Sequence, residues 1–205
     1  MSRFRDLIAH PDVEEVCVLR GHDHPREKRI GFMAYHGGGL EEMTDVIAQA
    51  AAERSGTSYY GVHQPTGMED HIPSIDVSPS HSPSLASFID HVHTVITIHG
   101  YGRRGFFSSL LVGGRHREFA EHVGEHLRRH LPAYTIVTDI DHIPRDLRGL
   151  HSRNPVNLPP GAGVQIELPP RVRGSSPLWW DWEGPDLTPH TESLIDALAT
   201  AARSW

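Results

Sequence analysis

With a single cysteine in 205 residues, the chain can form neither an internal disulfide nor a thiolate-held zinc site. Cys17 lies in the apolar run Val16-Cys17-Val18-Leu19 and reads as a buried, inert thiol. Long apolar runs are also missing. The longest, Val92 to Ile98 and Phe106 to Val112, are strand-sized and well short of the roughly 20 residues that span a bilayer, so no membrane partner is expected. The first residues, Met1 to Pro11, lack the continuous apolar stretch and small-residue cleavage site of a secretory signal. A cytoplasmic protein is expected, one that reaches the outside only by lysis. Positive charge is scarce: 19 Lys and Arg stand against 26 Asp and Glu, for a formal net charge of −7. Phosphate binding draws on clustered cations, and no basic stripe is present, which excludes a nucleic-acid partner. No Gly-x-Ser-x-Gly elbow occurs, and Cys17 sits in a strand rather than at a turn, so neither a serine nor a cysteine nucleophile is indicated.

What is present is a globular balance, 38% hydrophobic and 22% charged, and a length suited to one domain over residues 1–205. Short β-rich runs alternate with amphipathic stretches. The runs predict strands over Val16 to Arg20, Ile30 to Tyr35, Ser58 to Val62, Ile75 to Val77, Thr94 to Ile98, Phe106 to Val112, Thr135 to Thr138 and Gly163 to Leu168. Helical spacing predicts helices over Leu40 to Arg54, Ser84 to His91, Arg115 to Arg129 and Pro189 to Arg203. The alternation implies an α/β fold: a three-layer α/β/α sandwich around a mixed, mostly parallel sheet. Gly61 to Ser84, Asp139 to Gly163 and Arg171 to Pro189 are rich in Pro, His and Gly and read as long loops, which in small domains are often functional.

Seventeen histidines make any one of them weak evidence, so position has to decide. His36 follows an apolar strand and opens the run His36-Gly37-Gly38-Gly39-Leu40-Glu41; glycines allow the tight bend that returns Glu41 above the strand's carboxyl end. Glu42 is adjacent, and adjacent helix positions do not face the same way. His99 leaves the buried run Val95-Ile96-Thr97-Ile98 in the same manner. In Gly163-Val164-Gln165-Ile166-Glu167-Leu168 a carboxylate lies inside an apolar strand, where it needs a partner or a job. Ligands bind at the carboxyl ends of strands in such sheets. Two histidines and one carboxylate form a catalytic zinc set with one position open, and Glu167 can act as the proton-transferring carboxylate.

Several blocks, namely His36 to Glu41, Ile98-His99-Gly100-Tyr101, Val112-Gly113-Gly114, Leu147-Arg148-Gly149, Asn154-Pro155-Val156-Asn157 and Gly163 to Leu168, occur in an order that resembles the poly-γ-glutamate hydrolase family. The match spans Ala34 to Arg173. The resemblance implies a carboxypeptidase-like core, one Zn2+ per chain held by His36, Glu41 and His99, Glu167 as general base, and hydrolysis of γ-glutamyl amide bonds in an acidic peptide or γ-glutamyl polymer. Such a substrate needs positive charge in the site. Arg153 with Asn154 is the preferred carboxylate clamp, Arg148 a further cation, and Tyr101 a cover for the scissile bond; His81 matches a family position within Pro79 to Ser84. A monomer is expected. The alternative is a non-catalytic, metal-containing module that binds acidic peptides. The Trp179, Trp180 and Trp182 segment reads either as an interface or as packing under a loop.

Overall fold

The central strands are apolar along their whole length because both of their faces are covered. In the computed structural model, which describes residues 3–184 and 187–205, β1 (Glu14–Val18), β2 (Ile30–Gly38), β3 (Ser58–Gln64), β4 (Thr94–Gly100), β5 (Ser109–Val112), β6 (Thr135–Val137) and β7 (Gly163–Leu168) form one sheet in the order β1-β3-β2-β4-β7-β5-β6. Strands β3, β2, β4 and β7 are mutually parallel; β1 and β5 pair antiparallel with β3 and β7, and β6 runs parallel to β5. The mixed, mostly parallel sheet expected from the alternation is what forms.

Side chains of period two divide β2 between two cores. Phe32 and Ala34 join the layer of α2 (Thr44–Ser55), α4 (Arg117–His130) and α6 (Pro189–Arg203), where Ile47, Phe119 and Leu194 are fully buried. Met33 and Tyr35 join the opposite layer of α1 (Arg3–Ile8) and α3 (Pro83–His91), with Phe4, Leu85 and Phe88. Each of the larger of these side chains, such as Phe32, Ile47 and Leu85, contributes roughly 1.5–3 kcal/mol by leaving water. Ser82 caps α3 by accepting from the Leu85 amide (2.9 Å), and Thr188 caps α6 by accepting from Thr191 (3.3 Å). No helix is long and apolar enough to cross a membrane among the described residues.

The chain leaves β2 toward β3 on one side and returns to β4 on the other. A crevice therefore opens between the carboxyl ends of β2 and β4, the position at which open α/β sheets bind ligands.

Several boundaries differ from expectation. Ile75 to Val77 is no strand: Ser74–Asp76 is one 3-10 turn entered through Pro73, which fixes its own φ and has no N–H for a ladder. Phe106 to Ser108 fall in a turn with Phe107 exposed, so β5 begins at Ser109. Strand β2 runs on through His36 to Gly38, and α2 starts only at Thr44, leaving Glu41 in the loop between them. Helices α1 and α5 (Pro170–Arg173) have too few residues for a periodicity to show in the sequence. The stretch Arg171 to Pro189 holds α5 and a turn at Pro177–Trp179, and Trp180 is 81% exposed; its residues 185 and 186 lie outside the described residues.

Candidate metal centre and active site

His36 lies in the last turn of pleat of β2, and the chain then doubles back: the Glu41 amide donates to the His36 carbonyl at 2.9 Å. Gly38 makes this possible, with φ at +71° and a backbone approach to Gln64 too close for any Cβ. The Glu41 carbonyl is held by the Thr44 hydroxyl (2.7 Å), and the Glu42 carbonyl by Arg173 Nη1 (2.5 Å). The side chain of Glu41 then turns into the crevice. Its Oε1 lies 2.9 Å from His36 Nδ1 and its Oε2 3.3 Å from His99 Nδ1, while the Gly100 amide donates to Oε2 at 2.9 Å. Glu42 points to solvent and takes no part.

The ligand atoms of His36, Glu41 and His99 all lie within 4.8 Å of one another, the one such group of three among the described residues. The second nitrogen of each ring decides what the first can do. His36 Nε2 meets the Ile72 carbonyl at 2.8 Å, and a carbonyl only accepts, so this nitrogen carries the hydrogen. His99 Nε2 lies 3.0 Å from the Tyr35 hydroxyl oxygen, and it is the donor when the Tyr35 hydrogen goes to Asn154 Oδ1 (3.3 Å). In the neutral rings both Nδ1 atoms then turn toward Glu41 as acceptors facing an acceptor, a contact that is favourable only with a proton or a cation between them.

The electrostatics agree with the geometry. Burial pushes the Glu41 carboxyl upward, yet His36 and His99 outweigh it and hold the group well below the usual carboxylate range. Burial favours neutral His99, but the Glu41 charge and hydrogen bond prevail and raise its pKa. The carboxylate thus calls for positive charge between itself and the two rings, which a divalent cation supplies without protonating either ring. Nitrogen donors with a second hydrogen bond behind them, plus one carboxylate, fit zinc.

Glu167 stands beside His99 in the β4–β7 register and is 4% exposed. Its Oε1 accepts from Gln165 Nε2 at 2.8 Å. Burial pushes its pKa up to about 7, against the lowering influence of His99. Such a carboxyl takes up and gives back a proton near neutral pH.

The other expected residues are spread over two cavities that share Pro73 and Ile75 as a partition. A cavity of about 640 Å³ next to the crevice is lined by His71, Arg145, Arg148, His151, Asn154 and Gln165. Arg148 Nε donates to the Ile143 carbonyl (2.8 Å). His71, whose ring centroid is 5.1 Å from that of His36, and Arg145 were not singled out by the sequence. Arg153 and His81 line a separate cavity of about 970 Å³. Asn154 is buried, with its amide engaged inside the protein. The Tyr101 hydroxyl faces the carbonyls of Ser109 (2.7 Å) and Phe106 (3.1 Å), so it is turned toward its own loop. Arg173, 7% exposed and packed on Gly100 and Glu41, is a buried cation the motifs did not flag. Gln165 lies two residues before Glu167 on one strand face, a spacing that offers a signal for it.

The chain is similar to known proteins in family and in fold. The family model described as poly-gamma-glutamate hydrolase matches residues 4–176. No curated protein sequence matches the chain. Among solved structures, a bacteriophage poly-gamma-glutamate hydrolase is similar with a TM-score of 0.73 at 19% identity, over 93% of this chain and 87% of the phage protein. YndL in its zinc-free form is similar with a TM-score of 0.71 at 21% identity, over 93% of this chain and 89% of YndL. A Burkholderia mallei protein assigned as a carboxypeptidase gives 0.54 at 11% identity, over 100% of this chain and 67% of its own length. At these identities the likeness concerns the fold, and that fold is carboxypeptidase-like.

Proposed function

We propose, from the premise that the chain belongs to the poly-γ-glutamate hydrolase family, that it is a zinc-dependent hydrolase of γ-glutamyl amide bonds, holding one Zn2+ through His36, Glu41 and His99. The observation that carries this reading is the pair of imidazoles whose Nε2 hydrogens are committed to Ile72 and Tyr35, so that both Nδ1 atoms converge on one carboxylate. When bound, zinc polarises a scissile carbonyl and makes the attacking water more acidic.

The chain's own groups supply the rest. Glu167 is the base that takes the proton of the attacking water and delivers it to the leaving amine, a role its pKa near 7 suits. Arg145 and Arg148, on the wall of the adjoining cavity, bind carboxylates of an acidic peptide or γ-glutamyl polymer by donating charge-assisted hydrogen bonds to them. His71 closes the side of the crevice nearest His36.

The test is elemental analysis of wild type, His36→Ala and His99→Ala, counting zinc, nickel and manganese, followed by assay on poly-γ-glutamate. About one zinc per chain in the wild type, its loss in both variants and release of new amino termini are expected. Zinc without turnover on any γ-glutamyl substrate would favour the binding-module reading, and no metal after reconstitution would end both.

A further inference from the structure

Asn154 lies in a loop block whose purpose the metal site does not explain. Its Oδ1 accepts from the Val156 amide (3.2 Å) and from the Tyr35 hydroxyl (3.3 Å), and its Nδ2 donates to Gln165 Oε1 (2.9 Å). Gln165 Nε2 in turn donates to Glu167 Oε1 (2.8 Å) and faces the Leu147 carbonyl (3.4 Å). The direction of both amide groups is forced. A backbone N–H only donates and a carbonyl only accepts, so Val156 at one end and Leu147 at the other orient both amides. Tyr35 has one hydroxyl hydrogen; with it directed at Asn154, the oxygen receives the hydrogen of His99 Nε2.

We propose that Asn154 is a positioning residue that sets the hydrogen-bond direction on both sides of the site, keeping His99 in the tautomer whose Nδ1 faces Glu41 and aiming the Gln165 N–H group at Glu167. Its catalytic consequence rests on the function proposed above. The neighbouring blocks then acquire a reason. Gly149 has φ at +65°, and a Cβ there would stand 2.6 Å from Gln165 Oε1, so Leu147-Arg148-Gly149 leaves the space the amide occupies. Asn157 fastens that turn by donating to the carbonyls of Gly149 (2.7 Å) and His151 (3.0 Å).

The two arms separate by mutation. Asn154→Asp keeps the acceptor for Tyr35 but loses the donor for Gln165, whose amide then turns its oxygen toward Glu167. Zinc content and KM should stay at wild-type values while kcat on poly-γ-glutamate falls by about 10–100-fold, the usual effect of removing an outer hydrogen-bond partner. Gln165→Met, of similar volume without a donor, should reproduce that loss. Tyr35→Phe breaks the other arm and should weaken zinc binding by about 10–100-fold. A reading independent of turnover is the 15N spectrum: the Gln165 side-chain amide should exchange slowly in the wild type and lose that protection in Asn154→Asp. A rise in KM with kcat intact would make Asn154 a substrate contact and overturn the proposal, as would an unprotected Gln165 amide in the wild type. Should the wild type cleave no γ-glutamyl bond, the proposed function falls while the spectrum still decides the network.

Discussion

Along α4 and its flanks, His116, His122, His126 and His130 turn toward one another, toward aromatic rings and toward backbone carbonyls, whereas His36 and His99 turn toward a carboxylate. His116 caps α4 through the Phe119 amide and stands edge-on to Trp205. His122 Nε2 meets the Ala201 carbonyl (3.0 Å), His126 lies 3.3 Å from Ser204 Oγ, and His130 Nδ1 meets the His126 carbonyl (2.9 Å). Burial moves His116 and His126 toward the neutral form. The rings of His116, His122 and His126 fasten the last helix and its end to α4, while His130 bonds within α4. At the crevice the same residue type has its rear nitrogen held by an acceptor and its front nitrogen left bare before Glu41. What separates a site from a crowd is the group behind each ring and the charge in front of it.

Mutations that treat the two groups alike give the sharpest contrast. His36→Ala or His99→Ala should lower hydrolysis to background and remove bound zinc by elemental analysis, while the double change His122→Gln with His126→Gln should leave one zinc per chain. Loss of metal in the α4 variant would erase the distinction drawn above. Glu167→Gln comes next: kcat should fall by roughly 10²–10⁴-fold, the range for a lost general base, with zinc retained.

The same substitution should act on stability with a defined sign. In the metal-free protein Glu167 has a folded pKa of about 7 against an ordinary 4.5. Its ionisation therefore opposes folding increasingly as pH rises from 4.5 to 7, and below 4.5 it contributes nothing. Glu167→Gln should stabilise the metal-free chain by up to ~3 kcal/mol at pH 8 and not at pH 4, read from denaturant midpoints. A smaller effect is expected of Arg148→Ala, whose KM for an acidic substrate should rise about 10-fold with kcat little changed, the worth of a charge-assisted hydrogen bond. Smallest of all, His126→Gln alone should change stability by less than about 1 kcal/mol.

The sheet was legible because its strands are buried on both faces and so read as unbroken apolar runs; β7 and α6 have the expected ends. His99 and Glu167 could be picked out as polar residues carried on such runs. Glu41 was reached through a helix that begins four residues later than its pattern suggests, at Thr44 rather than Leu40, since a return of the chain from His36 performs the placement instead. The Ile72 carbonyl behind His36 had no sequence signal at all, being backbone on a loop that every residue type shares. Tyr35 was hidden for the opposite reason: in an apolar run it reads as core, and it is core apart from one hydroxyl. Ile75 to Val77 had strand-like residues but no strand edge to join, and β propensity without a pairing partner decides little.

Strands β2, β4 and β7 are neighbours in space and far apart in the chain. His36 and Glu41 are five positions apart in the chain, whereas His99 and Glu167 are carried on β4 and β7, far along it. Contacts of such wide sequence separation form slowly, because loop closure has to precede them. The three proposed ligands therefore come together once β4 has paired with β2, before β7 need join, and the rate at which zinc is captured during refolding would time that pairing rather than the arrival of Glu167.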